Sequence, residues 1–138
     1  MARQYFLAKT DPDTYTVRQL AAEGRTVWDG VRNPQAVQAI RSMKVGDRVF
    51  IYHSGGESAV AGLAAVSGAP VPDESDPKSW KAGFEFIAYL DPAVTLREIK
   101  ESGLFGDWSL VRNSRLSTMA APAEFVGWMR LKFPKVKI

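Results

Sequence analysis

The sequence predicts an α+β fold, a roll or small barrel of mixed strands with short flanking helices. Three observations carry this. Strand-like and helix-like segments interleave at short spacing, with no connection of the length a βαβ crossover needs. The run Arg48-Val-Phe-Ile-Tyr52 is too apolar on both sides for an exposed strand and reads as central. The chain has 138 residues, 46% hydrophobic and 24% charged, which suits a single domain over 1–138 with a real core.

The elements follow in order. Gln4 to Ala8 is a β-prone run that stops at the turn residues Thr10-Asp11-Pro12-Asp13. Thr14 or Thr16 then caps a helix carrying Val17, Leu20 and Ala21, which Gly24 ends. Thr26-Val27-Trp28 is short and β-like. Asn33-Pro34 starts a second helix, with Asn as N-cap and Pro at the first helical position. Val37, Ile40, Arg41 and Met43 share its spacing, and Gly46 closes it. Lys44 to Asp47 is a turn into the central strand, which Gly55-Gly56 breaks. Ala59 to Val66 returns as its hairpin partner, and Pro70 to Pro77 is a loop. Gly83 to Leu90 alternates Phe84, Phe86 and Ala88 against Glu85, Ile87 and Tyr89, as a strand does. Thr95 to Lys100 is a capped short helix, and Pro122 to Met129 is a terminal helix.

Composition excludes several chemistries. The formal charge is +3, from 18 basic and 15 acidic residues, which permits contact with nucleic acid but is far from a polycation. There is no cysteine, hence no disulfide, no Cys-ligated zinc and no thiol nucleophile. One histidine, His53, excludes a metal site built on several His ligands. The start, with Lys9 and two aspartates, does not read as a signal peptide. No apolar run approaches the roughly 18 residues of a membrane span. The expectation is a soluble, cytoplasmic, monomeric domain without cofactor or metal.

Phosphate-cradling motifs are absent. His53-Ser54 imitates a nucleophile and its base, but strand neighbours point to opposite faces, so this histidine does not serve this serine. Asp11 and Asp13 read as turn residues. The segment Val27-Trp-Asp-Gly-Val-Arg-Asn33 differs. It packs an aromatic, an acid, a glycine, a base and an amide into what reads as one loop, a mixture that core packing does not require. Trp28 is either ligand-facing or a plug of the barrel end, and Asn33 caps its helix whatever else it does. Alternation at the end of the central strand sends Tyr52 and Ser54 to one face and His53 to the other. Ser54 then offers its hydroxyl to a ligand or caps the Gly55-Gly56 turn, and His53 is a hydrogen-bonded structural residue.

Five blocks resemble the EVE domain family of the PUA-like group, which includes the thymocyte nuclear protein type. They are Phe6-Leu-Ala-Lys-Thr-Asp-Pro-Asp-Thr-Tyr15, Trp28-Asp-Gly-Val-Arg-Asn33, Met43-Lys-Val-Gly-Asp47, Phe50-Ile-Tyr-His-Ser54 and Arg115-Leu-Ser117. Their order and spacing are the family's, and they cover nearly the whole chain. Three departures stand out. Thr10-Asp11-Pro12 replaces the family's Ser-Glu-Pro and keeps its chemistry. Val71-Pro72-Asp73 lacks the aromatic that commonly precedes Pro-Asp. Thr118-Met-Ala-Ala-Pro122 replaces Val-x-Pro-Val.

The resemblance implies a PUA-like pseudo-barrel with flanking helices and a pocket for a modified nucleobase in DNA or RNA, without catalysis. A weaker similarity to YTH domains implies that Lys9-Thr10, Trp28 and Trp80 stand where those domains have a Lys-Ser pair, a cage Trp and a Trp before a strand. Asp29, Asn33, Tyr52, Ser54, Arg115 and Ser117 lie in the matching blocks and are further ligand candidates. Arg32, Arg112, Arg115 and Lys9 are candidates for phosphate contact. Trp108 and Trp128 read as packing residues, and the basic tail from Arg130 to Lys137 as a solvated final strand. The alternative is a small amidohydrolase resembling ASCH domains, acting on an acylated nucleoside with Lys9 and Asp11 or Asp29.

Overall fold

A computed structural model describes residues 3–138. The strands are β1 (Tyr5–Thr10), β2 (Arg25–Val31), β3 (Arg48–His53), β4 (Ala59–Pro72), β5 (Trp80–Thr95) and β6 (Thr118–Ala120). The helices are α1 (Val17–Glu23), α2 (Pro34–Arg41), α3 (Leu96–Glu101), α4 (Ser109–Arg112) and α5 (Ala123–Lys132). All six strands form one sheet in the order β2-β5-β4-β3-β1-β6, curled into a half-barrel. β1 runs parallel to β3, and every other pairing is antiparallel. The α+β class and the barrel-like curl are those the sequence predicts.

β3 is central, between β1 and β4, and Val49 to His53 are all buried. Local signals place the first two helices. The Thr16 hydroxyl accepts from the Gln19 N–H at 3.1 Å while the Gln19 carboxamide accepts from the Thr16 N–H at 2.8 Å, a reciprocal cap. Gly24 ends α1 at φ +79°, a conformation that favours glycine. The Asn33 carboxamide oxygen accepts from the N–H groups of Gln35 and Ala36, and Pro34 begins α2. α2 ends at Arg41, so Met43 is buried beyond the helix rather than on it.

Elsewhere the boundaries differ. β4 and β5 run to 14 and 16 residues, longer than the Ala59–Val66 and Gly83–Leu90 segments. Register shifts along their shared ladder interrupt the alternation that would reveal that length. Pro70 to Pro72 therefore continue a strand, and the loop proper lies between β4 and β5. α4 and β6 were not expected; β6 pairs with β1 through only three residues. The basic tail is no final strand. Arg130 to Lys132 complete α5, and Phe133 and Ile138 pack into the core.

Trp108 and Trp128 do pack, as expected. Both stand beside Phe125 and Phe105, and the Trp108 indole N–H donates to the Ala120 carbonyl at 2.9 Å. His53 is structural too. Its Nε2 accepts the buried Val17 N–H at 3.1 Å, so Nδ1 carries the proton and donates to Glu57 at 2.9 Å. Both ring nitrogens are spent, and none is left for Ser54.

α1 lies close enough to the sheet that a Cβ built on Gly62 of β4 would stand 2.6 Å from a Val17 methyl. Gly62→Ala is expected to lower the unfolding free energy by about 1–3 kcal/mol, the usual cost of overpacking. Urea denaturation reads this; an unchanged midpoint would mean that α1 is not seated as described.

Candidate functional site

β1 and β2 are not neighbours in the sheet, but its curl brings the end of one across from the other. Between them lies a cavity of about 390 Å³, within the roughly 300–1,000 Å³ typical of small-molecule sites. Its lining comes from Lys9 and Thr10 of β1, the β1–α1 loop (Asp11, Thr14, Tyr15), β2 from Thr26 to Val31, and Ser117.

Trp28 supplies the main aromatic surface. It is 8% exposed and stacks on Phe84 of β5, with centroids 5.0 Å apart and planes 25° from parallel. Tyr15 meets it edge-on at 6.1 Å. The indole is therefore part of the core and part of the cavity wall. Trp28 sits within β2, paired with Ala82, as the β-like reading of Thr26 to Trp28 has it; the loop reading is corrected for Asp29 to Val31, which continue the strand. The mixed polarity that resembles a loop comes from a β-bulge instead. Asp29 and Gly30 together oppose the single residue Lys81, and Gly30 takes φ +77°.

The β1 side is held by backbone and hydroxyl bonds. The Lys9 N–H donates to the Ser117 carbonyl at 2.7 Å, and the Thr10 hydroxyl donates to the Tyr15 carbonyl at 3.0 Å. The Lys9 ammonium donates to the Ser114 carbonyl at 3.1 Å and lies 5.6 Å over the Tyr52 ring. Desolvation by burial lowers its pKa below the ordinary lysine value. Burial raises the Tyr15 phenol, helped by its hydrogen bond to the Glu23 carboxylate.

The structure brings Lys9, Thr10, Trp28, Asp29 and Ser117 together at this cavity. The other candidates lie outside its lining, and all but Arg115 are committed elsewhere. Arg32 pairs with Asp76 at 2.7 Å, and Arg112 with Asp107 at 3.0 Å. The Asn33 carboxamide is spent on α2. Tyr52 is buried beneath Lys9, and burial raises its pKa. The N–H and hydroxyl of Ser54 both donate to the Thr10 carbonyl, so Ser54 anchors the cavity from behind. Trp80 is partly buried, with the Arg41 guanidinium 4.8 Å from its ring centroid, and forms no cage wall with Trp28. Arg115 is exposed, its backbone N–H held by the Asn113 side chain. Sequence reasoning missed Tyr15, Thr14 and Thr26 as lining residues. Thr26 stands two residues from Trp28 and was legible once that segment was taken as a strand.

The EVE domain family matches residues 4–130. The chain belongs to the EVE domain family. Human thymocyte nuclear protein 1 is 28% identical over 124 residues, covering 70% of this chain and 55% of that protein. The chain thus spans about half the length of the curated relatives it matches. A hypothetical protein from Leishmania major superposes with a TM-score of 0.87 at 31% identity, over 97% of both chains. Human THYN1, solved in complex with DNA containing 5-methylcytosine, superposes with a TM-score of 0.84 at 25% identity, over 94% of this chain and 97% of that one. The PUA-like fold is therefore the fold of this EVE domain.

Among the described residues, no helix is long and apolar enough to cross a membrane, and no group of three or more His, Asp or Glu is placed to hold a metal ion. Trp28→Ala is expected to destabilise the domain by about 3–5 kcal/mol, because it empties a core position beside Phe84. Trp28→Phe should restore much of that stability. Thermal and urea unfolding measure both; a Trp28→Ala protein as stable as wild type would contradict the burial described here.

Proposed function

We propose that this EVE domain binds nucleic acid by taking one modified base, a 5-substituted cytosine in DNA foremost, into the cavity between β1 and β2, without catalysis. The observation that carries the reading is Trp28, an indole fixed against Phe84 while it walls a cavity rimmed by polar groups. A base leaves its stack at a cost of a few kcal/mol and regains roughly 1–3 kcal/mol on an aromatic surface. An indole already held in place adds no ordering cost to that exchange. The DNA-bound THYN1 structure supports DNA as the polymer and a methylated cytosine as the base. RNA carrying such a base is the second candidate polymer. The reading takes the domain as a cytoplasmic monomer.

A different reading, hydrolysis of an acylated nucleoside, has one observation in its favour: the half-buried Lys9 amine with its lowered pKa. Its partner is wanting, for among the described residues no carboxylate forms an ion pair with Lys9. Incubation with acylated cytidine is expected to leave the substrate intact. Deacylation that Lys9→Ala abolishes would replace binding with catalysis.

The binding test uses fluorescence anisotropy with duplexes that carry a single 5-methylcytosine or plain cytosine. The methylated duplex should bind about fourfold tighter, since one buried methyl is worth roughly 0.8 kcal/mol. Equal affinities would overturn the modified-base reading. The net charge is only +3, and two of the phosphate candidates, Arg32 and Arg112, are ion-paired, so the binding should rest on few phosphate contacts. The log–log salt slope should fall between about −2 and −4, and one steeper than about −6 would indicate a continuous basic groove instead.

A further inference from the structure

The cavity of the base-binding reading holds a carboxylate that its aromatic wall does not explain. Asp29 and Asp11 both line it. The Asp11 carboxylate is engaged by its own loop, accepting the Asp13 N–H at 2.9 Å. Asp29 has no hydrogen-bond or ion-pair partner among the described residues. A free carboxylate at the mouth of a site for a polyanion repels phosphate. It lowers affinity unless the ligand returns an N–H to it.

Asp29 stands at a bulge at the cavity's edge. In a regular strand, neighbours such as Trp28 and Asp29 point to opposite faces. Here the whole stretch from Thr26 to Val31 lines one cavity, and the Asp29-Gly30 bulge opposite Lys81, with Gly30 at φ +77°, interrupts that alternation at Asp29. Bulges next to sites commonly redirect a side chain in this way. Lys9 stands in the same lining, with one ammonium hydrogen on the Ser114 carbonyl and two left over. The lining thus offers an acceptor-only group and a donor-only group together. That pair complements a base edge with an exocyclic amine beside an acceptor ring nitrogen.

We infer that Asp29 is the specificity residue of the cavity, accepting the exocyclic amine of a cytosine-type base and excluding bases that carry a carbonyl there. The inference rests on the base-binding reading above. Acidic side chains accept from the cytosine amine in the same way where they read DNA grooves. Against thymine the carboxylate meets the O4 carbonyl, two acceptors facing each other with no proton between them. Discrimination here is repulsive as well as attractive.

5-Methylcytosine and thymine carry the same methyl group and differ at this edge, so they isolate the effect. Each is placed opposite an abasic site in otherwise identical duplexes, which removes differences in pairing, and binding is followed by anisotropy. Wild type should prefer 5-methylcytosine over thymine by about tenfold or more. Asp29→Asn can turn its amide to donate to O4, so the preference should shrink to near unity or invert. Asp29→Ala should also lose the preference. Affinity for the thymine duplex should rise in both variants, since the facing acceptor is removed, while Asp29→Ala should bind the 5-methylcytosine duplex more weakly for want of its acceptor. An unchanged ratio in both variants, with wild type still preferring methylated over plain cytosine, would overturn the role of Asp29 and leave the base-binding reading standing. Wild type with no preference for methylated over plain cytosine would sink that reading itself.

Discussion

The contact between Trp28 and Phe84 ties the core of this protein to its cavity. Phe84 is fully buried on β5, and Trp28 on β2 lies flat against it. Packing of this kind determines where β2 sits at the open edge of the curled sheet, and hence how wide the gap to β1 is. Tyr15 then closes on the edge of the indole, and the β1–α1 loop follows Tyr15. The Trp28 side chain is thus both a core residue and a wall of the cavity. A side chain so packed is held rigid, which is the property the proposed base stacking draws on.

The opposite wall depends on β3. Its parallel register with β1 runs from Tyr5↔Arg48 to Thr10↔His53, which sets the end of β3 beside the end of β1. From there Ser54 holds the Thr10 carbonyl, and His53 holds the first N–H of α1. The two ends of the β1–α1 loop are therefore pinned by consecutive residues. Tyr52 lies beneath Lys9 in the same stretch. Residues that do not line the cavity thus decide its shape. Several cations, among them Arg32, Arg112, Arg41 and Lys132, are held in ion pairs or over aromatic rings.

Signals that act within a few residues were legible in the sequence. The caps at Thr16 and Asn33, the stop at Gly24 and the doubly buried Arg48–Tyr52 run all depend on local chemistry. Signals that depend on distant partners were not. β6 exists because three residues find β1, and nothing within Thr118–Ala120 requires a strand. The lengths of β4 and β5 were hidden by register shifts that break the two-residue period. The tail imitates a strand by alternating charge, yet Arg130 bonds to Tyr5 and Lys132 covers Trp128 from the helix. At the site, the blocks resembling the EVE family pointed to Lys9, Thr10, Trp28, Asp29 and Ser117. They could not show that Arg32, Trp80 and Ser54 are spent on Asp76, Arg41 and Thr10.

The central claim is that one base leaves its stack and comes to rest against Trp28. A crystal structure of the domain bound to a duplex with a single 5-methylcytosine tests it most directly. The account predicts the methylated base outside the helix, within van der Waals contact of the Trp28 indole and inside the cavity between β1 and β2. A complex in which that base stays stacked and paired while the protein contacts only the backbone would contradict it.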